Sequence, residues 1–342
     1  MAEINIGYCN ETHPVSDGRI LRERWQASHC RYFNVGGLTI QVESDLCFDS
    51  GTLGKKLELF LVDRAGPDTV SIHHHFGLPD LTGHTLGREV YRTMTWAVYY
   101  QPGLDGSYTY LIRSSLDEDA PLARIMLASA DHSRTHIYNS DALKKYWQKG
   151  GLFTLSMLKT DEFLIARLLA VRQACYLHSS GVMIDGAAML FSGYSGVGKS
   201  TIMKFLIDAG ARGELQVETI CEDRNIIRRM ADGWRVYGNW NNAEMRLVST
   251  AIAPLHSICF LEQAGENTIT QLFDHKEIIR RMVLNIIRPF ITPDWWQKSL
   301  ELIDLMVSEV PFYVVRFDLS GEIVGEIAKL VKSSRVQIAQ CS

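Results

Sequence analysis

The segment 193–200, Gly-Tyr-Ser-Gly-Val-Gly-Lys-Ser, matches the pattern G-x-x-x-x-G-K-[ST] in full. Its glycines let consecutive backbone N–H groups turn toward one anion, where larger side chains would obstruct the approach. Lys199 is placed to contact the outer phosphates of a nucleoside triphosphate, and the Ser200 hydroxyl to complete the coordination of Mg²⁺. The predicted nucleotide contacts are the loop and the next residue: Gly193, Tyr194, Ser195, Gly196, Val197, Gly198, Lys199, Ser200 and Thr201.

The residues on either side of this loop predict a strand before it and a helix after it. An apolar run at 187–191 has the length of a strand. After the loop, apolar residues recur at helical spacing up to a glycine, a common helix end: Ile202, Phe205, Leu206, Ala209 and Gly210. Because a helix N-terminus attracts anions, these flanks favour a bound triphosphate.

Two adjacent acids, Glu222 and Asp223, end an apolar stretch that begins at Thr219. Such a pair lets one carboxylate bind Mg²⁺ while the other accepts a proton from an incoming hydroxyl. The alternative interpretation is a solvated acidic turn.

His178 lies upstream of the loop, in a segment that ends at Asp185-Gly186. An Asp-Gly dipeptide between two apolar runs is typical of a tight β-hairpin. Such a hairpin would pair this segment with 187–191 and place His178 close to the phosphates. A purely structural histidine is the alternative.

The chain divides into two parts of different pattern, predicted as a β-rich N-terminal domain at 1–150 and a nucleotide-binding domain at 151–342. Strands are expected in the first part at 32–43, 57–62, 93–100, 108–112 and 124–127, with a hairpin turn at 102–107. A helix is expected after an N-cap at Thr160 or Asp161. Further strands are expected at 187–191, 217–222, 225–229, 256–261 and 311–317, and helices at 199–209, 275–289, 295–308 and 322–332.

Composition limits the classes of binding partner and the cellular compartment that can be expected for this protein. The net charge of -4 provides no overall basic field for nucleic acid, and no apolar run approaches the ~20 residues of a membrane span. The start of the sequence lacks the features of a secretory signal. The 7 cysteines of the chain form no C-x-x-C pair. These features favour a cytoplasmic protein without nucleic-acid or membrane partners.

The run His73-His74-His75 is a candidate metal site, because imidazole is a common metal ligand. Consecutive strand residues point to alternate faces, so at most two of these histidines can converge on one metal. No carboxylate or cysteine stands at ligand spacing beside them in the sequence. The sequence therefore predicts no metal site here.

The run from Leu177 to Thr201 resembles the C-terminal kinase domain of HPr kinase/phosphorylase and its serine-kinase-like relatives. That family shows a histidine, a short hairpin, the phosphate loop, a helix and then an Asp-Asp pair. Segments 261–267 and 310–318 extend the resemblance, which covers roughly residues 160–330. It implies an α/β fold like that of phosphoenolpyruvate carboxykinase, a P-loop kinase domain with a mixed sheet, here preceded by the smaller β-rich domain.

The resemblance also implies ATP- and Mg²⁺-dependent phosphoryl transfer to a hydroxyl. By position, Lys199 contacts the phosphates, while Ser200 and Asp223 hold the metal. Glu222 stands where the family has its base, and His178 matches its active-site histidine. Arg246 is a candidate for stabilising charge or gripping the substrate.

The sequence departs from the family at several points. Glutamate replaces the first aspartate of the pair, which moves the carboxylate by about 1.5 Å, one carbon–carbon bond. The family's C-terminal phosphorylase signature is not recognisable, so the reverse reaction is not expected. The N-terminal domain resembles the β-rich extensions of relatives encoded beside peptide-modification enzymes, including kinases of lasso-type peptides.

Three functions remain open from the sequence. The first is an ATP-dependent kinase of a serine in a peptide or protein, and the second is a kinase of a small metabolite such as a free amino acid or sugar. The third is a nucleotide-binding regulator with little turnover, which the Glu222 substitution favours. The sequence identifies neither the acceptor nor the oligomeric state, and a homo-oligomer is one of the open alternatives.

Overall fold

The computed structural model describes residues 28–103, 106–117, 119–240, 248–288 and 292–341, with side chains to residue 333. The strands are β1 Ser28–Val35, β2 Leu38–Phe48, β3 Leu61–Val62, β4 Thr69–Phe76, β5 Arg88–Arg92, β6 Trp96–Gln101, β7 Ser107–Arg113, β8 Leu122–Ser129, β9 Arg134–Asn139, β10 Ala174–Ile184, β11 Ala187–Ser192, β12 Val217–Cys221, β13 Arg224–Met230, β14 Gly233–Tyr237, β15 Ile252–Gln263, β16 Thr268–Gln271 and β17 Phe312–Phe317. The helices are α1 Lys55–Glu58, α2 Asp141–Lys149, α3 Glu162–Ala170, α4 Lys199–Ala211, α5 His275–Asn285, α6 Pro293–Glu309 and α7 Ile323–Cys341.

The first nine strands form one sheet in the described part of the chain, in the order β3-β1-β2-β4-β9-β8-β7-β6-β5. One face of this sheet is buried, as Leu38, Ile40 and Val42 show with exposures of 0%, 1% and 1%, whereas Gln41 and Glu43 between and after them are partly exposed. The predicted hairpin at 102–107 is confirmed by antiparallel pairing of β6 with β7. The β-rich character predicted for this half is therefore confirmed. The segment 32–43, predicted as one strand, instead turns at Gly36-Gly37 and is divided between the antiparallel strands β1 and β2, and β4, β5, β9 and α2 were not predicted.

The strand predicted at 57–62 is wrong. Residues 55–58 form the short helix α1, and only 61–62 pair as a strand. Leu57 and Phe60 are buried at 0% and 3%, whereas Leu59 is 58% exposed. Leu57 and Phe60 are three positions apart, as on one face of a helical turn, whereas the alternation of a strand would have buried Leu59 together with Leu57. The apolar run therefore has the spacing of a helix and not that of a strand.

The second half is a mixed α/β unit, which agrees with the mixed sheet expected from the sequence. The strands β11, β15 and β17 run parallel, and β10, β13, β14 and β16 pair antiparallel within the same eight-stranded sheet of the described chain. Successive residues of β11 enter opposite cores. Ala188 and Leu190 pack on the side of α5 and α6, and Met189 and Phe191 pack on the side of α4 and α7. Helices thus cover both faces of the strand that leads to the loop.

The helix after Asp161 forms as expected, but Asp161 does not cap it with its side chain. Its buried carboxylate instead accepts hydrogen bonds from the backbone of Leu155 and Ser156 and from Trp240 Nε1, at 2.7, 2.8 and 3.1 Å. Among the described residues, no helix combines the length and the apolar character needed to cross a bilayer.

One hydrophobic core joins the two halves. Phe33 and Leu38 of the first sheet belong to the same buried cluster as Leu169 of α3, Tyr176 of β10 and Ile226 of β13. The turn between β1 and β2 docks directly on the second half. A Cβ atom on Gly36, whose φ is +60°, would lie 3.0 Å from the Ile226 side chain. The domain boundary at 150 stays a prediction, but the two halves pack as one body of side chains.

An ion-pair network reinforces this junction. The Asp68 carboxylate accepts hydrogen bonds from Arg172 Nε at 2.9 Å and from Arg228 Nη2 at 2.7 Å. Burial alone would raise the pKa of Asp68, but the two arginines lower it below the ordinary value of 3.8. Asp68 on the first half is thereby held ionised between two cations of the second.

Asp68→Asn is therefore expected to lower the free energy of unfolding by about 1–2 kcal/mol at neutral pH, the range for charged hydrogen bonds at a partly exposed site. A lowered folded-state pKa stabilises above the unfolded pKa and is lost as pH falls through the folded one. The difference between wild type and Asp68→Asn should therefore shrink below pH about 4. Urea unfolding at several pH values measures it, with the exposed acid Asp304→Asn as control. An equal loss in both variants would contradict the network's role.

Candidate active site at the phosphate loop

The loop 193–198 connects the buried strand β11 to the start of α4. Gly196 and Gly198 have φ of +85° and +106°, which favour glycine. A Cβ atom on Gly198 would also lie 2.6 Å from the ring of the buried Phe317. Gln263, at the end of β15, donates a hydrogen bond of 3.1 Å to the Gly196 carbonyl. The loop is therefore held by the neighbouring parallel strands, and Gly198 has no room for a side chain.

Lys199 lies folded within this loop. Its ammonium donates hydrogen bonds to the carbonyls of Gly193 and Tyr194 at 3.0 and 3.1 Å. The residue is 8% exposed, and burial lowers its pKa, while the charge of Asp223 acts in the opposite direction. Ser200, the next residue, is exposed at the first turn of α4, where the backbone N–H groups have no partner within the helix. A cation, a hydroxyl and amide donors thus lie together at one helix end.

The predicted hairpin before the loop is confirmed. Ile184 of β10 pairs with Ala187 of β11, and the turn residues Asp185 and Gly186 have φ of +51° and +89°. Positive φ at both central positions is the geometry that Asp-Gly favours. At the other end of the hairpin, the Ser192 hydroxyl donates to the His178 carbonyl at 2.9 Å. His178 therefore lies beside the start of the loop, where the sequence placed it.

Asp223 joins His178 to two further charged groups. His178 Nδ1 lies 3.2 Å from Asp223 Oδ1, and Arg224 Nη1 lies 2.9 Å from Asp223 Oδ2. Arg224 also contacts Glu162 Oε1 at 2.8 Å. Burial would raise the pKa of Asp223, but the hydrogen bond from His178 and the charges of Arg224, His178 and Lys199 lower it. An ionised carboxylate is therefore maintained next to the imidazole.

The two acids that are adjacent in sequence lie in different environments. The Glu222 residue is 3% exposed, and its carbonyl accepts a hydrogen bond of 2.7 Å from the Ser180 hydroxyl. Asp223 is the one that contacts His178. Both residues lie in the bend between β12 and β13. The role of Glu222 as base stays a prediction, and Arg246 lies outside the described residues.

Asn225 fixes the register that brings these groups together. Its amide donates to the Ser179 carbonyl at 2.6 Å, across the pairing of β10 with β13. A Cβ atom on Gly181 would lie 2.2 Å from Asn225 Oδ1, so glycine is required for this approach. Sequence reasoning did not identify Asn225 or Glu162. The sequence places Glu162 in the first turn of a helix, but an acid at that position is also expected simply because it stabilises the helix.

A cavity of about 330 Å³ adjoins the acidic side of the site through Arg224 and Glu162. Both halves of the chain contribute to it, and three of its side chains are basic. The lining residues are Lys56, Phe153, Thr154, Lys159, Thr160, Glu162, Arg224 and Trp240. We call this space the basic cavity.

No protein-family model matches the sequence, and no curated protein matches it. Among solved structures, the chain is similar to the HPr(Ser) kinase/phosphatase from Coxiella burnetii, with 12% sequence identity and a TM-score of 0.27. That match covers 48% of this chain and 98% of the other. A likeness this distant says nothing about the activity of the chain, so its function is inferred below from its own residues.

Proposed function

We propose that the protein is a Mg²⁺- and ATP-dependent phosphotransferase that acts on a hydroxyl, in first place on a serine of a peptide or protein. One observation carries the proposal. The loop lysine Lys199 lies close enough to Asp223 for their charges to interact, and Asp223 is itself hydrogen-bonded to His178. A phosphate-binding loop is thus combined with an acid–histidine pair, which a nucleotide-binding module without chemistry does not need.

The residues at the loop suit Mg²⁺. The exposed hydroxyl of Ser200 and the ionised carboxylate of Asp223 are hard oxygen ligands of the kind that Mg²⁺ takes. In the proposal these two residues hold the metal, as predicted from the sequence. When bound, Mg²⁺ would neutralise charge on the phosphate oxygens.

The histidine is the group best placed to handle the acceptor's proton. Asp223 holds Nδ1 of His178, which fixes the orientation of the ring and leaves Nε2 as the nitrogen for an incoming hydroxyl. Lys199 supplies the positive charge that stabilises the transferring phosphoryl group. In this scheme Glu222, nearly buried, supports the strand end rather than acting first on the acceptor.

The basic cavity favours a peptide or protein acceptor over a free metabolite. Its lining combines Lys56 of the first half with residues of the second, and an extended peptide segment would be in reach of both. Lys159 would favour a hydroxyl flanked by acidic groups, whereas Arg224 is already paired with Glu162 and Asp223. The proposal therefore assigns acceptor binding to this cavity.

The test offers the purified protein ATP, Mg²⁺ and three kinds of acceptor: free serine, simple sugars, and serine peptides with acidic or basic flanks. Phosphoester formation is followed by mass spectrometry and ATP consumption in parallel. We expect phosphate on serine of the acidic peptides. Phosphorylation of free serine or sugars alone would favour the metabolite kinase. Tight ATP binding without consumption, whatever acceptor is offered, would contradict the proposal and favour the regulator.

A further inference from the structure

Three histidines converge on the outer face of the N-terminal sheet. His73 and His75 of β4 point to the same side, and His74 points into the core with 0% exposure. His136 of β9 stands directly opposite His73 in the parallel pairing of these strands. One nitrogen from each of the three rings lies within 4.8 Å of the others. Strand pairing thus supplies the third histidine that the sequence run itself could not.

Two carboxylates from the strand on the other side of β4 complete the cluster. Asp45 Oδ1 lies 3.2 Å from His73 Nε2, and Asp45 Oδ2 lies 3.3 Å from His75 Nδ1. Glu43 Oε2 lies 3.3 Å from His73 Nδ1. No carboxylate stands beside the histidines in the sequence, because these two come from β2 and are neighbours of the histidines only in the folded sheet.

The distances are near those of a tetrahedral metal site. Zinc–nitrogen bonds of about 2.0–2.1 Å place neighbouring ligand nitrogens about 3.3 Å apart. His75 Nε2 and His136 Nδ1 are 3.1 Å apart. The His73 side chain is 31% exposed, and its ring stacks on that of His75 with 4.1 Å between the ring centroids. One nitrogen of each ring already lies within 4.8 Å of the others, so metal binding requires the side chains to reorient but not the strands to move.

The surroundings suit a cation. In metal-binding histidines the N–H of the second ring nitrogen commonly donates a hydrogen bond to a carboxylate. Asp45 Oδ2 is placed to accept such a bond from His75 Nδ1. Imidazoles with one or two carboxylates suit Zn²⁺ and its neighbours rather than Mg²⁺ or Ca²⁺.

We propose that His73, His75 and His136 bind one Zn²⁺-class divalent cation, with Asp45 as the carboxylate that orients His75. The site shares no residue with the phosphate loop, so it stands or falls separately from the proposed kinase activity. The side chains are partly exposed, which gives a metal direct access from solvent.

The test uses full-length protein without a histidine tag, titrated with ZnCl₂ by calorimetry in buffer free of chelators. We expect one Zn²⁺ per chain and a rise in melting temperature with added metal. His75→Gln and His136→Gln should each weaken binding by more than about 100-fold, since loss of an outer partner alone costs about 10–100-fold. Asp45→Asn should fall in that lower range. Mg²⁺ at the same concentration should not compete.

His84→Gln, a change at an exposed histidine outside the cluster, serves as the matched control and should bind like wild type. Co²⁺ gives a second readout, because tetrahedral coordination produces strong visible absorption that the His75→Gln and His136→Gln variants should lack. Thermal unfolding without metal verifies that each variant is folded. Absence of Zn²⁺ binding by wild type, or equal binding by folded His75→Gln and His136→Gln, would overturn the proposal.

Discussion

Lys199→Ala is expected to lower the rate of phosphoryl transfer by about 10²–10³-fold, the usual cost of removing one preorganised group that stabilises transition-state charge. The Lys199 ammonium already lies inside the loop on the carbonyls of Gly193 and Tyr194. Its desolvated charge acts in a region where electrostatic interactions are stronger than in water. The measurement is the initial rate of acceptor phosphorylation at saturating ATP, together with the dissociation constant for ATP.

Lys204→Ala provides the matched control. Lys204 is on the same helix, is exposed, and its replacement also removes one positive charge. We expect this variant to keep the wild-type rate. If Lys199→Ala is as active as Lys204→Ala, the loop does not hold the reacting phosphates and the proposed function fails.

Asp223→Asn is expected to lower the rate by about 10²–10⁴-fold, the contribution of a general base whose orientation depends on the aspartate. Asparagine keeps the size of the side chain but removes the negative charge. That charge accepts the hydrogen bond from His178 and interacts with the positive charges of Lys199 and Arg224. The loss should appear in kcat more than in ATP affinity if the Asp223–His178 pair acts on the acceptor. Asp208→Asn, an exposed acid on α4, is the control and should be active.

The pH dependence follows from the lowered pKa of Asp223. Because its pKa lies below the ordinary value of 3.8, the carboxylate stays ionised as pH falls through the range where exposed acids begin to protonate. A loss of activity between pH 5 and 7 would therefore belong to another group. In Asp223→Asn the charge is absent at every pH, so its rate should be reduced across the whole profile. A variant deficient only at acidic pH would contradict this assignment.

Glu222→Gln separates the two candidates for the base. With His178 as the base, this change should affect stability more than the chemical step, because the Glu222 residue is almost fully buried. A folded Glu222→Gln variant with activity as low as that of Asp223→Asn would instead favour the assignment made from the family resemblance.

The parts of the site that depend on neighbouring residues could be predicted from the sequence. The loop pattern, the Asp185-Gly186 turn and the helix at 199–209 are encoded by glycines and by apolar spacing over short stretches. The position of His178 follows from that hairpin alone. These features formed as expected because few tertiary contacts can override such local signals.

The features that depend on pairing between distant strands could not be predicted. Which of Glu222 and Asp223 faces His178 is decided by the register of β13 on β10, which Asn225 and Gly181 fix. The histidine cluster exists because β4 lies between β2 and β9 in two parallel pairings. A single sequence gives no direct signal of the lateral order of strands, so it does not show that residues of β2, β4 and β9 lie side by side.

The continuous core between the halves makes the chain one thermodynamic unit. Helix α3 is apolar almost all round, and its buried side chains pack against the N-terminal sheet and β10 alike. A nucleotide-binding half expressed by itself would present that apolar surface to water and would be prone to self-association. Folding of the second half is therefore coupled to the N-terminal sheet, so mutations far from the loop can reduce the amount of folded protein by lowering the stability of the whole chain.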